Sequence, residues 1–181
     1  NGMGQGVGDF NNDGHFDIAF INGGPNWLLK NNGDWTYDNV AASANVQQDT
    51  LPNGVNLVTW GTVFFDEDND GWQDLYFAAG PIGDNGSIQP NTMLRNNQDE
   101  TFDNISTLSG LDNELRGRHV SIVDFDSDGF VDVFVGNFGY APAMYHHSGA
   151  DGGNTNNWLQ FTVEGTESNR DGIGTRLTLS T

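Results

Sequence analysis

The stretch DEDNDGWQD, Asp66 to Asp74, places five acidic side chains in nine positions. Like charges this close repel, and such a run is ordinarily solvated and unstructured. Two more stretches share its plan: DFNNDGHFD from Asp9 to Asp17, and DFDSDGFVD from Asp124 to Asp132. All three carry an oxygen side chain at positions 1, 3, 5 and 9 and glycine at position 6. Their first residues are 57 and 58 residues apart. A fixed period of this kind governs the fold and is settled before any single element.

The residue types fit a hard divalent cation held by oxygen. The side-chain ligands expected are Asp9, Asn11, Asp13 and Asp17 in the first loop. Asp66, Asp68, Asp70 and Asp74 serve the second, and Asp124, Asp126, Asp128 and Asp132 the third. A backbone carbonyl at position 7 would come from His15, Trp72 and Phe130. Gly14, Gly71 and Gly129 permit the sharp turn between them. An EF-hand needs Glu at position 12, where this chain has Phe20, Phe77 and Val135. A strand-loop-strand calcium loop remains, with about three Ca2+ sites in the chain. Magnesium keeps most of its water, and zinc prefers His or Cys. Plain Asp/Asn/Gly turns are the bland alternative, and three in-phase copies argue against it. Glu67, at position 2, is expected to point away from the ion and serve solvation. Asn11 lowers the charge of the first site, which is expected to bind most weakly.

The rest of the composition sharpens this reading. The chain has 181 residues and a formal net charge of -19, which opposes nucleic acid or an anionic membrane as partner. Twelve of its acidic residues fall in the three loops, so the charge is concentrated in sites. There is no cysteine, and no apolar run approaches the ~18 residues of a membrane span, so no membrane insertion is expected. The chain opens on Asn1, as a processed or excised chain would.

Each loop leads into an apolar run, FDIAFIN (16–22), QDLYFAA (73–79) and VDVFVGN (131–137), and follows a shorter strand candidate. These runs are apolar on both faces, as in strands covered on both sides. A second echo aligns NWLLKNNGDWTYDNV (26–40) with NTMLRNNQDETFDNI (91–105) and with APAMYHHSG (141–149). One unit therefore reads as four antiparallel strands, a blade of a β-propeller. The fold expected is all-β: three such units in an incomplete ring. Unit 1 covers 1–49, unit 2 covers 50–110 and unit 3 covers 111–153, with a further β segment beginning at 154–181. The best helical candidate is VAASANVQQ (40–48), of one or two turns. Asp66 to Met93 spans 27 residues, against 19 and 20 in the other units. The extra length lies in 79–91, a Gly/Pro-rich connection that is either a recognition loop or a neutral insertion.

The loops and their following strands resemble the FG-GAP and VCBS-type repeats of calcium-bound β-propellers, integrin α-chains included. The LLKNNGDWTYDNVA pattern (28–41) resembles the cartilage acidic protein family and its bacterial relatives. NNWLQFTVEGTESNRDGIGTRLTL (156–179) is similar to the start of an ASPIC/UnbV domain. These resemblances imply calcium binding, an extracellular or cell-surface location, and a role in adhesion, protein interaction or structural assembly.

Two other classes stay open. Trp27, Trp35 and Trp60 could stack on a glycan, as in a propeller lectin, or pack in the core. An enzyme is not expected, because the paired carboxylates already serve as ligands. His146-His147 stands where Lys30-Asn31 and Arg95-Asn96 stand in the other units and reads as a turn, with an accessory metal role open. Propellers close with four to eight blades. Three units should therefore leave the first and last faces uncovered, open to other protein chains or copies of itself.

Overall fold

The computed structural model describes residues 2–48, 50–51, 54–83, 86–149, 156–167, 169–175 and 177. Eleven strands and one helical turn appear among them. β1 (Gly2–Gly8), β2 (Asp17–Asn22), β3 (Gly24–Asn31) and β4 (Tyr37–Asn39) form one antiparallel meander. β5 (Thr59–Phe65), β6 (Asp74–Ala79), β7 (Thr92–Asn96) and β8 (Phe102–Asn104) repeat it, followed by α1 (Ser106–Ser109). β9 (Gly117–Val123), β10 (Asp132–Asn137) and β11 (Ala143–Tyr145) form the third sheet. The expected fourth strand of that unit falls at 150–155, outside the described residues. The protein is thus all-β, with open antiparallel sheets of four, four and three strands consistent with propeller blades.

The register fixes the equivalences between blades. Leu28 pairs with Ala19, Met93 with Tyr76 and Met144 with Phe134, each two residues beyond the ninth position of its loop. The sheets stack face to face through their inner strands, β1 against β5 and β5 against β9. Close approach there needs small residues. A Cβ on Gly4 would stand 2.6 Å from the Trp60 carbonyl, and one on Gly61 would stand 3.0 Å from the Val120 nitrogen. The glycines of β1 and β5 therefore serve packing between blades as well as turns.

Two apolar clusters fill the seams. Between the first and second blades lie Phe10, Ile21, Leu28, Phe64, Phe77 and Phe102. Between the second and third lie Tyr76, Met93, Leu111, Val120, Val133 and Val135. Successive β6 residues thus face opposite seams, as the two-residue period of a strand requires. The 40–48 segment forms turns rather than an α-helix, and its Ala41, Ala44 and Val46 plug the first seam. Ile105 and Leu111, flanking α1, do the same for the second. The described residues of 156–177 contain no strand. No helix among the described residues is long and apolar enough to cross a membrane.

Candidate metal centres

Each acidic loop joins the inner strand of a blade to its second strand, so all three sit at one end of the stack. Their backbones match. Position 4 is left-handed in each, at Asn12 (φ 54), Asn69 (φ 55) and Ser127 (φ 62). Position 6 is left-handed too, at Gly14 (φ 86), Gly71 (φ 88) and Gly129 (φ 91). That second turn is where glycine is needed, because other residues are strained there.

The same hydrogen bonds fold every loop. The position-1 carboxylate accepts the amides of positions 5 and 6. Asp9 takes Asp13 and Gly14 at 3.1 and 2.9 Å. Asp66 takes Asp70 and Gly71 at 3.0 and 2.8 Å. Asp124 takes Asp128 and Gly129 at 3.1 and 3.0 Å. The position-5 carboxylate accepts the position-7 amide, from His15 and Trp72 at 2.8 Å and from Phe130 at 2.9 Å. The peptide units at His15, Trp72 and Phe130 are thereby oriented by their own loops.

Position 9 is the most buried part of each site. Asp17 and Asp132 are fully buried, and Asp74 nearly so. Each carboxylate bridges two segments. Its Oδ2 accepts the position-2 amide of Phe10, Glu67 or Phe125. Its Oδ1 accepts an amide at the end of the third strand, from Asn31, Asn96 or His147, at 2.8 Å each. These aspartates therefore pin the loop to the blade, whatever else they bind. Burial pushes Asp74 up to about 8 and Asp17 up to about 6. Asp66 and Asp68 are also raised, again chiefly by burial. Burial thus disfavours the charge of Asp17 in the first loop and of Asp66, Asp68 and Asp74 in the second, and a bound cation would reverse this.

The structure brings the expected ligands together unevenly. Oxygens of Asp66, Asp68 and Asp70 lie within 4.8 Å of one another. In the third loop Asp124, Asp126 and Asp132 converge to the same degree, as do Asp126, Asp128 and His146. The first loop forms no such triad among the described residues, because Asn11 replaces a carboxylate. Its Asn11 Oδ1 is buried without a hydrogen-bond partner, at the position where a cation would accept it. Carboxylates and an orphaned carbonyl oxygen on one curled loop fit a hard cation.

Two contacts were not readable from the loops alone. Asn12 donates to the Gly71 carbonyl, and Asn69 donates to the Gly129 carbonyl, each at 3.1 Å. Position 4 of one loop thus grips position 6 of the next, coupling the sites across the seams. In the third loop His146 lies 2.9 Å from Asp126, where Lys30 and Arg95 stand in the other blades. This exceeds a solvated turn and places a ring nitrogen among the carboxylates.

Glu67 corrects an expectation. It is 9% exposed and accepts a hydrogen bond from Arg95 at 2.9 Å. Its side chain points into the seam between blades, where Arg95 on β7 pairs with it. The tryptophans are not core residues either: Trp35 is 97% exposed, Trp27 about half exposed, and Trp60 carries a stacked arginine.

No characterised protein matched the chain. The sequence profile of the FG-GAP-like repeat matches residues 9–77 and again 66–135. Each match starts on the first aspartate of one loop and ends in the strand beyond the next, so its unit is the loop-to-loop repeat derived above. The two matches cover well over half of the sequence, and the chain belongs to the FG-GAP-like repeat family.

Proposed function

We propose that the protein is a calcium-binding, extracellular or cell-surface repeat module that serves adhesion, protein interaction or assembly. The observation that carries this reading is the threefold recurrence of one loop conformation, with the same carboxylates held by the same amides. Positions 1, 3, 5 and 9 would hold Ca2+, with the carbonyls of His15, Trp72 and Phe130 completing the shell. The ion would supply charge compensation and cross-link each loop to its blade, not reaction chemistry. We infer binding rather than catalysis, since the carboxylates that could act as acid and base would be engaged in this shell.

Calcium titration by calorimetry tests the reading: the expected stoichiometry is close to three, and absence of binding would overturn it. The extracellular placement rests on the resemblance of 28–41 and 156–179 to cartilage acidic and ASPIC/UnbV proteins, whereas the family match is to the FG-GAP-like repeat and ends at residue 135. Partners would dock on the uncovered outer faces of the first and third blades, where Val7, Phe16, Phe125 and Phe134 are exposed. The exposed Trp35 favours a second reading, glycan binding, which a glycan array would decide.

A further inference from the structure

At the end of the inner strands opposite the loops, Arg116 and Arg118 sit beside the seam of the second and third blades. Arg118 stacks over the Trp60 ring at 4.1 Å and faces the Phe138 ring at 5.5 Å. It donates to the Gly117 and Pro81 carbonyls at 2.9 and 2.6 Å, the latter at the start of the 79–91 connection. Arg116 lies over Phe138 at 5.3 Å, and its Nε is buried without a hydrogen-bond partner.

Neither arginine meets a carboxylate among the described residues, although the chain has 25 acidic residues. The other described Lys and Arg side chains, Lys30, Arg95 and Arg170, all do. Burial and the charge of Arg116 both push Arg118 down, so this pair is held at a cost. Stacking fixes each guanidinium plane while leaving N–H donors at its edge.

We propose that Arg116 and Arg118 form a binding site for a carboxylate carried by an acidic peptide segment of a partner protein. A guanidinium fork matches a carboxylate in two parallel hydrogen bonds. A peptide fits better than a sugar, because Arg118 already covers one face of Trp60 and both arginines crowd Phe138. Exposed Phe138 borders the pair and offers apolar contact to neighbouring peptide residues. The net charge of -19 disfavours a polyanion, whereas one carboxylate at contact range is screened from the distant loops. The site is separate from the metal loops and goes beyond the calcium reading.

The test follows the side-chain Nε–Hε resonances of the 15N-labelled full chain, in calcium buffer, during titration with the capped peptide Gly-Phe-Glu-Phe-Gly. The Arg116 and Arg118 signals are expected to shift, and the Gln counterpart of the peptide is expected to leave them in place. Arg116→Gln, which removes no existing hydrogen bond, should weaken binding about tenfold with an unchanged backbone spectrum. Equal shifts with both peptides, or none with either, would overturn the proposal. Inorganic phosphate moving the same signals at lower concentration than the peptide would overturn the carboxylate assignment.

Discussion

β6 and β10 occupy the same place in their blades, yet every residue of β6 is buried while β10 leaves Phe134 exposed. The loops make the same point. Phe10 and Phe125 both hold position 2, but Phe10 is 0% exposed and Phe125 is 54% exposed. Phe10 packs against Phe102 of the next blade, with ring centroids 5.9 Å apart. Phe125 instead meets His146 of its own blade, with ring centroids 5.4 Å apart, and stays half exposed. Sequence sets which residues face a seam, and the neighbouring blade decides whether that seam is dry.

The largest effect should come from this pair. Phe10→Ala is expected to cost roughly 3–5 kcal/mol in urea unfolding, as for a fully buried aromatic. Phe125→Ala should cost less than about 1.5 kcal/mol, because its ring is half in water already. Equal costs would show that the third blade is covered in solution. A large penalty at Phe125 that appears only at high protein concentration would identify a second copy as the cover.

The glycines at position 6 sharpen the comparison at smaller amplitude. Gly71 and Gly129 share nearly the same φ, 88 and 91. A Cβ on Gly71 meets nothing within 4 Å, whereas one on Gly129 would come within 2.0 Å of the Trp158 ring. Gly71→Ala should cost about 1–2 kcal/mol from backbone strain alone. Gly129→Ala should cost the same and also displace Trp158, seen as faster proteolysis after residue 156. Equal proteolysis of the two variants would refute the tail contact.

The buried carboxylates predict a pH dependence. Asp74 and Asp17 have pKa values raised above the unfolded value of 3.8, to about 8 and about 6. Between these limits the folded metal-free chain binds more protons than the unfolded one, so its stability should fall as pH rises from 4 to 8. With calcium the trend should reverse, because the ion requires the charged form. Melting curves with EGTA and with calcium across this range check both slopes. Asn11→Asp should tighten the first site by on the order of tenfold, the smallest effect and one confined to that loop.

Much of this was legible in the sequence. The loops, their glycines and the strands after them repeat in residues that chemistry constrains locally, so Asp9, Asp66 and Asp124 marked the blades directly. What stayed hidden depends on a second blade. Asn12 and Asn69 look like ordinary turn residues until the next loop supplies a carbonyl. Glu67 looks like a solvated charge until Arg95 and the seam enclose it. Trp60 looks like a core or sugar-stacking residue until Arg118 arrives from the neighbouring blade. The 40–48 segment, read as one or two helical turns, closes a turn with the Ala44 amide on the Val40 carbonyl, and its small apolar residues plug a seam that the sequence alone does not show.

The most direct test of the account is a count of bound calcium by native mass spectrometry, on the chain as it stands and on Asp70→Ala. The account predicts three ions on the unaltered chain and two on the variant, since Asp70 belongs to the second loop alone. No bound calcium, or the same count in both chains, would contradict it.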